Sequence, residues 1–142
     1  MELNDIGHEI SVLVVDDNEA LREVIALMLS GCGCRCESAR NGVEAIQKLQ
    51  RSRFDAVVTD LEMPVMDGIA LTRKLRQYFS SLPVMIITGH SDQDSKEAAL
   101  RAGAKEFLRK PFEVSDLLEK LHKMILGPTL AEDQDALERQ CS

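Results

Sequence analysis

Five short apolar runs are spaced along the chain and separated by more polar segments. The runs begin at Ile10 (ISVLVV), near Cys34 (CRCESA), at Phe54 (FDAVVT), at Pro83 (PVMIIT) and at Lys105 (KEFLR). Runs of about four to eight residues that are rich in Val and Ile and lack strict alternation are typical of strands buried on both faces. The sequence therefore predicts five strands in a sheet that is covered on both sides.

The segments between these runs carry apolar residues at helical spacing. The segment from Asp92 to Ala102 is rich in Ala and has only Leu100 as a large apolar residue, so it predicts the least anchored helix. The other apolar stripes are, in chain order, Leu21–Val24–Ile25–Met28, Val43–Ile46–Leu49, Leu71–Leu75 and Val114–Leu117–Leu118–Leu121–Met124–Ile125.

Residues that cap helices lie at the predicted boundaries. Gly31 and Gly103 are placed where a helix ends in a left-handed residue. Short polar residues at helix starts accept hydrogen bonds from first-turn amides, and the predicted N-caps are Asn18, Asn41, Asp67 and Ser91.

Strands alternating with helices through short connections predict β-α-β crossovers and a parallel sheet. We therefore expect a single-domain α/β fold with a flavodoxin-like, doubly wound sheet of five parallel strands. The number of units favours the strand order 2-1-3-4-5, although periodicity alone does not fix that order.

Composition narrows the class of protein. The chain has 142 residues, 44% of them hydrophobic and 29% charged, which suits one globular domain. It carries 17 Lys and Arg against 24 Asp and Glu, a net charge of −7, which argues against broad capture of nucleic acid or anionic lipid. No apolar run approaches the ~20 residues of a membrane span. We expect a cytoplasmic domain with no membrane insertion and no direct contact with nucleic acid.

Domain boundaries follow from the ends of the periodic pattern. The predicted domain covers residues 9–127, after an N-terminal extension over residues 1–8. Gly127 and the proline after it are a stop signal for the last helix. Residues 128–142 are expected to be a short acidic tail or the stump of a linker.

Three cysteines alternate along the second run. Cys32, Cys34 and Cys36 are spaced to lie on one face of a strand. Three thiolates are candidate zinc ligands, but a structural zinc site needs a fourth ligand and usually a wider spacing. The sequence favours free cysteines that serve as small buried apolar residues.

The candidate chemistry lies where strands end. Asp16 and Asp17 follow the first strand, Asp60 the third, Thr88 the fourth, and Lys110 the fifth. Ligands of open α/β sheets bind at the carboxyl ends of the strands, where the strand order reverses. In the order 2-1-3-4-5 the three carboxylates converge, and crowded carboxylates with room for water favour Mg2+.

The remaining two side chains complete a site for a phosphoryl group. Lys110 brings a compact positive charge and Thr88 a hydroxyl donor. Phosphoryl transfer depends mainly on positioning and charge neutralisation. Asp60 is therefore a candidate nucleophile that forms an aspartyl-phosphate.

With these residues in place, the sequence resembles the receiver domains of two-component response regulators over roughly residues 9–127. The resemblance predicts a phosphoprotein of phosphorelay signal transduction. The stretch MPVMDG after the third strand is the most specific part of the match. The matching motifs are the Asp16-Asp17 pair after LVV, Asp60 within VVTDLEMPVMDG, Thr88-Gly89 after MII, and Lys110-Pro111 after FLR.

The resemblance implies a role for each site residue. Asp60 is expected to take a phosphoryl group from a histidine of a sensor kinase or phosphotransfer domain. Asp17, Asp60 and the backbone carbonyl of Glu62 are expected to ligate Mg2+, with Asp16 acting through a coordinated water. Lys110 is expected to pair with the phosphoryl group, and the peptide bond that follows it to be cis. The chain itself is expected to be no enzyme beyond its own phosphorylation and dephosphorylation.

The resemblance also implies a switch. Thr88 and Phe107 are expected to move inward on phosphorylation and to reshape the face formed by the fourth helix, fifth strand and fifth helix. That face is expected to signal to a downstream protein, with a phosphorylation-linked homodimer as a further option. Phe107 lacks the hydroxyl of the Tyr found in some receivers. Glu62 and His90 occupy positions that tune phosphoryl lifetime in the family.

Other functional readings stay open at this point. A phosphohydrolase of the haloacid dehalogenase type also uses an Asp nucleophile after its first strand. Its motif there is Asp-x-Asp, whereas this chain has Asp16-Asp17. The nucleophile would then be Asp16 and not Asp60. A phosphate-independent interaction module is disfavoured by the complete set of site residues. A flavodoxin is disfavoured because no phosphate loop follows the first strand.

Overall fold

The computed structural model describes residues 9–89 and 92–127, in which five strands alternate with five helices. The predicted extension, the predicted tail, His90 and Ser91 lie outside the described residues. No helix among the described residues is long and apolar enough to cross a membrane. The elements are β1 (Ser11–Val15), α1 (Glu19–Ser30), β2 (Arg35–Ala39), α2 (Gly42–Arg51), β3 (Ala56–Asp60), α3 (Gly68–Tyr78), β4 (Val84–Thr88), α4 (Gln93–Ala102), β5 (Glu106–Arg109) and α5 (Val114–Leu126).

All five strands form one parallel sheet in the order β2-β1-β3-β4-β5, which confirms the predicted fold class. The register pairs Val15 with Thr59. Asp16 comes directly after Val15 and Asp60 directly after Thr59, so both acids lie at the same edge of the sheet. Asp60 in turn pairs with Ile87, and Thr88 pairs with Arg109. The strand ends that carry the candidate site therefore lie side by side.

The prediction that the strands are buried on both faces is confirmed for the central strands β1, β3 and β4. It is wrong for the edge strands β2 and β5. Every residue of β1 and β4 is buried, and β3 is buried up to Asp60. In β2 and β5 only Ala39 and Leu108 are buried. An edge strand has a neighbour on one side only, so its side chains remain partly open to water.

Each face of the sheet is covered by two main helices. Ile25 and Leu29 of α1 share one cluster with Leu117 and Leu121 of α5. The opposite cluster holds buried residues of α2 and α3, which are Ala45, Leu49, Leu71 and Leu75.

The apolar stripe of α1 differs from the predicted one. Val24 is 45% exposed, while Leu29, outside the predicted stripe, is fully buried. The helix is therefore rotated so that Ile25 and Leu29, one turn apart, face the sheet. In α2 the predicted Val43 is likewise exposed, and Ala45 is buried instead.

The fourth helix is the least anchored, as the sequence predicts. Its buried residues are Ala99 and Ala102, and its one large apolar residue, Leu100, is 46% exposed. Alanine buries little surface, and hydrophobic stabilisation scales with the apolar area removed from water. The predicted N-cap Ser91 is wrong by one residue, because the N-cap of α4 is Asp92, whose Oδ1 accepts a hydrogen bond from the Ser95 amide at 2.6 Å.

The other predicted caps are confirmed with one exception. Asn18, Asn41 and Asp67 each accept a first-turn amide, and Gly103 is left-handed with φ 108°. The prediction that Gly31 is a left-handed cap is wrong, because the φ angle of this residue is −64°. The chain runs on through a further turn after α1, and the left-handed residue is the later glycine at position 33, with φ 86°.

The cysteines do not share one strand. The second strand begins at Arg35, so Cys32 lies in the turn after α1, Cys34 precedes the strand and only Cys36 belongs to it. All three nevertheless pack on the cluster that holds α1 and α5. Burial raises the pKa of Cys34 and of Cys36 to about 11, which keeps both thiols neutral. Among the described residues they belong to no group with metal-ligating geometry, which supports the structural interpretation over zinc.

Gly68 lies where the first residue of α3 touches the end of β3. A Cβ there would collide with the backbone oxygen of Asp60 and come within 3.0 Å of the Leu61 Cα. The Gly68 amide also donates to the Leu61 carbonyl at 2.8 Å, so the two segments have no room to separate. The packing of this glycine therefore fixes the backbone that carries Asp60.

We predict that Gly68→Ala lowers the free energy of unfolding by about 1–3 kcal/mol, because a methyl group is forced against backbone. Urea denaturation followed by far-UV circular dichroism measures the change. Gly89→Ala is the matched control, since a Cβ at Gly89 meets nothing within 4 Å and should cost little. Equal stability of both variants would contradict the close approach.

Candidate functional site

Three carboxylates meet at the carboxyl ends of β1 and β3. Oxygens of Asp16, Asp17 and Asp60 all lie within 4.8 Å of one another. Asp16 is buried, Asp60 is half-buried and Asp17 is exposed. The structure thus brings together the three acidic residues that the sequence singled out, at the predicted edge of the sheet.

Asp16 is held from its backbone and from its side chain. Its amide donates to the Ala39 carbonyl at 3.1 Å, and its Oδ1 accepts the Asn18 amide at 2.9 Å. The carbonyl oxygen of Asp16 accepts a hydrogen bond from Nη1 of Arg22 at 2.7 Å. Sequence reasoning missed Arg22, and the available signal was its position one helical turn after the cap Asn18.

Lys110 supplies the positive charge of the site. Its Nζ donates to Asp60 Oδ1 at 3.1 Å and lies 3.9 Å from Asp16 Oδ2. Its amide donates to the Thr88 carbonyl at 2.8 Å, which ties the end of β5 to the end of β4. The Lys110–Pro111 peptide bond is cis, which confirms that expectation.

The predicted switch residues lie on the neighbouring strands. Thr88 is the last residue of β4 and is buried. Phe107 lies on β5, where it is partly buried against the small cluster that includes Ile86 and Ala99 of α4. Glu62 is exposed on the loop after β3. The roles assigned to these side chains, and to the Glu62 carbonyl, stay predictions.

The loop between β3 and α3 contains a strained turn. The Met66 amide donates to the Pro64 carbonyl at 2.8 Å, across Val65, whose φ is 72°. A hydrogen bond between residues two apart around a positive φ is a γ-turn, which is rare for a β-branched residue. Val65 is 100% exposed, so its side chain gains no packing in return. This loop keeps a costly backbone shape beside Asp60.

The electrostatics of the site are unbalanced towards negative charge. Burial raises the pKa of Asp60, against the lowering effect of the Lys110 hydrogen bond, and nearby Asp17 raises it further. Burial likewise raises the pKa of Asp16, with the Asn18 amide opposing and Asp60 adding to the increase. One ammonium does not neutralise three carboxylates. An all-oxygen cluster of this charge fits a hard divalent cation such as Mg2+.

Comparison with known proteins agrees with this geometry. The family model described as the response regulator receiver domain matches residues 12–122. The chain belongs to this family of receiver domains. Receiver domains are signalling domains of two-component systems and not classical enzymes. The assignment decides against the phosphohydrolase and flavodoxin alternatives.

The curated relatives of this receiver are longer regulators. Response regulator MprA of Mycobacterium ulcerans is 36% identical over 127 residues, which are 89% of this chain and 55% of MprA. The DNA-binding transcriptional regulator NtrC of Escherichia coli K12 is 37% identical over 114 residues, 80% of this chain and 24% of NtrC. The chain thus spans about half or less of these relatives.

Solved structures match the receiver over most of their length. The chemotaxis protein CheY4 of Vibrio cholerae has a TM-score of 0.79 at 31% identity, covering 82% of this chain and 99% of CheY4. The receiver domain of the sensor histidine kinase PA1611 of Pseudomonas aeruginosa PAO1 has a TM-score of 0.76 at 32% identity, covering 83% and 98%. The PA1611 structure contains a magnesium ion coordinated in its active site cleft.

We predict that Asp60→Asn raises the melting temperature at pH 7 in the absence of divalent metal. A carboxyl whose folded pKa is raised contributes stability below its ordinary value of 3.8, and this contribution is lost as the pH rises through the folded pKa. The gain from Asn should therefore shrink as the pH falls and vanish once the carboxyl is protonated in both states. Thermal unfolding between acid and neutral pH measures it.

Asp67→Asn is the control for this experiment. Asp67 caps α3 through the Ala70 amide at 2.8 Å, a bond that Asn also makes, and it lies outside the carboxylate cluster. A gain for Asp60→Asn that does not depend on pH would contradict the electrostatic cause.

Proposed function

We propose that this receiver accepts a phosphoryl group on Asp60 from a phosphohistidine of a sensor kinase or phosphotransfer domain. The observation that carries the proposal is the contact of 3.1 Å between Lys110 Nζ and Asp60 Oδ1 inside the three-carboxylate cluster. A half-buried carboxylate that is held by one ammonium and faces the open edge of the sheet has the position of a nucleophile.

The reaction balances with the donor alone. An oxygen of Asp60 attacks phosphorus, the P–N bond to the donor imidazole breaks, and the imidazole leaves with the electron pair. Lys110 then lies against the new phosphoryl oxygens and offsets part of their charge. Hydrolysis of the same acyl-phosphate by water returns Asp60 and releases phosphate, which closes the cycle.

The carboxylate cluster fits Mg2+, which would neutralise charge on the phosphoryl oxygens when bound. Asp17 and Asp60 would be direct ligands together with the backbone carbonyl of Glu62, and Asp16 would act through a coordinated water. The magnesium ion in the active site cleft of PA1611 supports Mg2+ as the cation of this site.

Signalling would proceed through the face of α4, β5 and α5. Thr88 and Phe107 lie on β4 and β5, and Phe107 contacts the same cluster as Ala99 of α4. A phosphoryl group on Asp60 would draw the Thr88 hydroxyl inward and free the space into which Phe107 turns. Because the buried residues of α4 are both alanines, it is the element of this face that would be easiest to shift.

The output of this receiver would be recognised by protein partners. We propose contact with a downstream protein or a phosphorylation-linked homodimer, with no direct contact between residues 9–127 and nucleic acid. A net charge of −7 for the chain supports the last point. The receiver would extend over residues 9–127, act in the cytoplasm and lose its phosphoryl group by its own hydrolysis.

We predict that Asp60→Asn abolishes phosphorylation. With acetyl phosphate and Mg2+, the unchanged protein should gain one hydroxylamine-labile phosphoryl group by intact mass, and the variant none. Asp67→Asn, on the same loop but outside the cluster, should label like the unchanged protein. Normal labelling of Asp60→Asn would show a different acceptor. A protein that never labels, even from a histidine donor, would point to a phosphate-independent module.

We predict that Lys110→Ala separates phosphorylation from signalling. Loss of the ammonium should slow acceptance by about 100-fold, as removal of one charge-stabilising donor does in other active sites. The phosphorylated fraction should lack the NMR shift changes at Thr88, Phe107 and α4 that the unchanged protein shows. Lys105→Ala, just before β5, is the control. A full set of shift changes in Lys110→Ala would refute its role in the switch.

A further inference from the structure

Two side chains outside the predicted site hold the backbone of the carboxylate cluster. Thr59 Oγ1 donates to the Asp60 carbonyl at 3.0 Å, and the backbone at Asp16 is held by Arg22. Arg22 lies one turn into α1, and its Nη1 donates to the Asp16 carbonyl at 2.7 Å. Its own amide donates to the Asn18 carbonyl at 3.0 Å, in the normal helical pattern. The side chain therefore reaches back from the helix to the loop that connects β1 with α1.

The Asp16 carbonyl lies at the point where the sheet stops supporting the chain. β1 ends at Val15, and the last ladder contact on this side is the Asp16 amide to the Ala39 carbonyl. The carbonyl of Asp16 belongs to the peptide unit that it shares with Asp17. Whatever fixes the direction of that carbonyl also fixes the amide and the Cα of Asp17, and so limits the directions in which the Asp17 side chain can leave the backbone.

The position of the Asp17 carboxylate depends on the backbone more than the positions of the other two carboxylates do. Asp60 is held by Lys110, and Asp16 by the Asn18 amide. Asp17 has no hydrogen bond or ion pair to another described residue, although its carboxylate lies within 4.8 Å of the other two. Its presence in the cluster is therefore set by the peptide unit before it.

We infer that Arg22 is a positioning residue for the Mg2+ site, which fixes the Asp16–Asp17 peptide unit so that the Asp17 carboxylate points into the cluster. The inference rests on the proposed function. The guanidinium suits this task because its donors are planar and pre-organised, so little freedom is lost for the bond it forms. Groups behind a metal ligand commonly change metal affinity by about 10–100-fold when they are removed.

Charge and geometry make opposite predictions for Arg22, which makes the inference testable. A cation near an anionic site repels Mg2+, so loss of the charge alone should strengthen Mg2+ binding. Loss of the positioning bond should weaken binding, because Asp17 is no longer held in place. The sign of the change in affinity therefore separates the two roles.

The experiment is calorimetric titration of Mg2+ into the unchanged protein, Arg22→Gln, Arg22→Lys and Arg51→Gln. Gln is too short to reach the Asp16 carbonyl, and we expect about 10-fold weaker binding. Lys keeps the charge and one donor, and should recover part of the loss. Arg51, exposed in the last turn of α2 at the far end of the sheet, is the matched control for a lost charge and should leave the affinity unchanged.

Two further readouts keep the outcome decisive. In metal-free protein the Asp17 amide resonance should shift in Arg22→Gln and not in Arg51→Gln, while the melting temperatures stay similar. Affinity that is equal or tighter in Arg22→Gln overturns the inference, as does a lower melting temperature with unchanged affinity. If Arg22→Gln does not fold, the same comparisons apply to Arg22→Lys. If the unchanged protein binds no Mg2+, the proposed function fails, and an unmoved Asp17 resonance overturns the positioning role separately.

Discussion

An uncompensated negative charge at one edge of the sheet is the feature on which the rest of the site depends. Asp16, Asp17 and Asp60 crowd within 4.8 Å, and among the described residues Lys110 is the cation that contacts these carboxylates. Burial and mutual repulsion raise the pKa values of Asp16 and Asp60, so the folded chain without a bound cation carries an electrostatic cost. A bound cation, or a phosphoryl group together with its cation, would offset that cost, which is why we propose both binding and chemistry for the same carboxylates.

The sheet concentrates this charge because of its topology. Parallel strands place their carboxyl ends at one edge, and the order β2-β1-β3-β4-β5 makes β1 and β3 neighbours. Burial of the central strands then removes much of the water around Asp16 and Asp60, while Asp17 stays exposed. The hydrogen bonds from Lys110 to the Thr88 carbonyl and from the Leu61 amide to the Ile87 carbonyl bind the ends of β3, β4 and β5 into one unit. The positions of the acids are thus consequences of the fold itself.

The sequence predicts the parts of this structure that depend on repeating patterns or on local chemistry. The five strands, the N-caps Asn18, Asn41 and Asp67 and the convergence of the three acids all follow from spacing and residue type. Exposed edge strands and the rotation of α1 towards Leu29 depend on what packs against each element, which periodicity does not contain. Gly68 and Arg22 act through contacts between segments, with the Asp60 and Asp16 carbonyls, and such contacts leave no repeat in the sequence.

The contrast between firm and weak packing explains how a local charge change can have a distant effect. Asp60 ends β3, and Asp16 and Asp17 follow β1, two strands that are buried and leave little room for movement. Under the proposed function, a new charge on Asp60 would therefore not be absorbed by movement of β1 or β3. The least supported neighbours of the site are β5, an edge strand, and α4, which is anchored by Ala99 and Ala102. Under the proposed function, strain generated at Asp60 would be relieved where restoring forces are smallest, on the side of the molecule formed by α4 and β5. Stronger packing of α4 would make the domain more stable and, under the proposed function, would make α4 harder to shift.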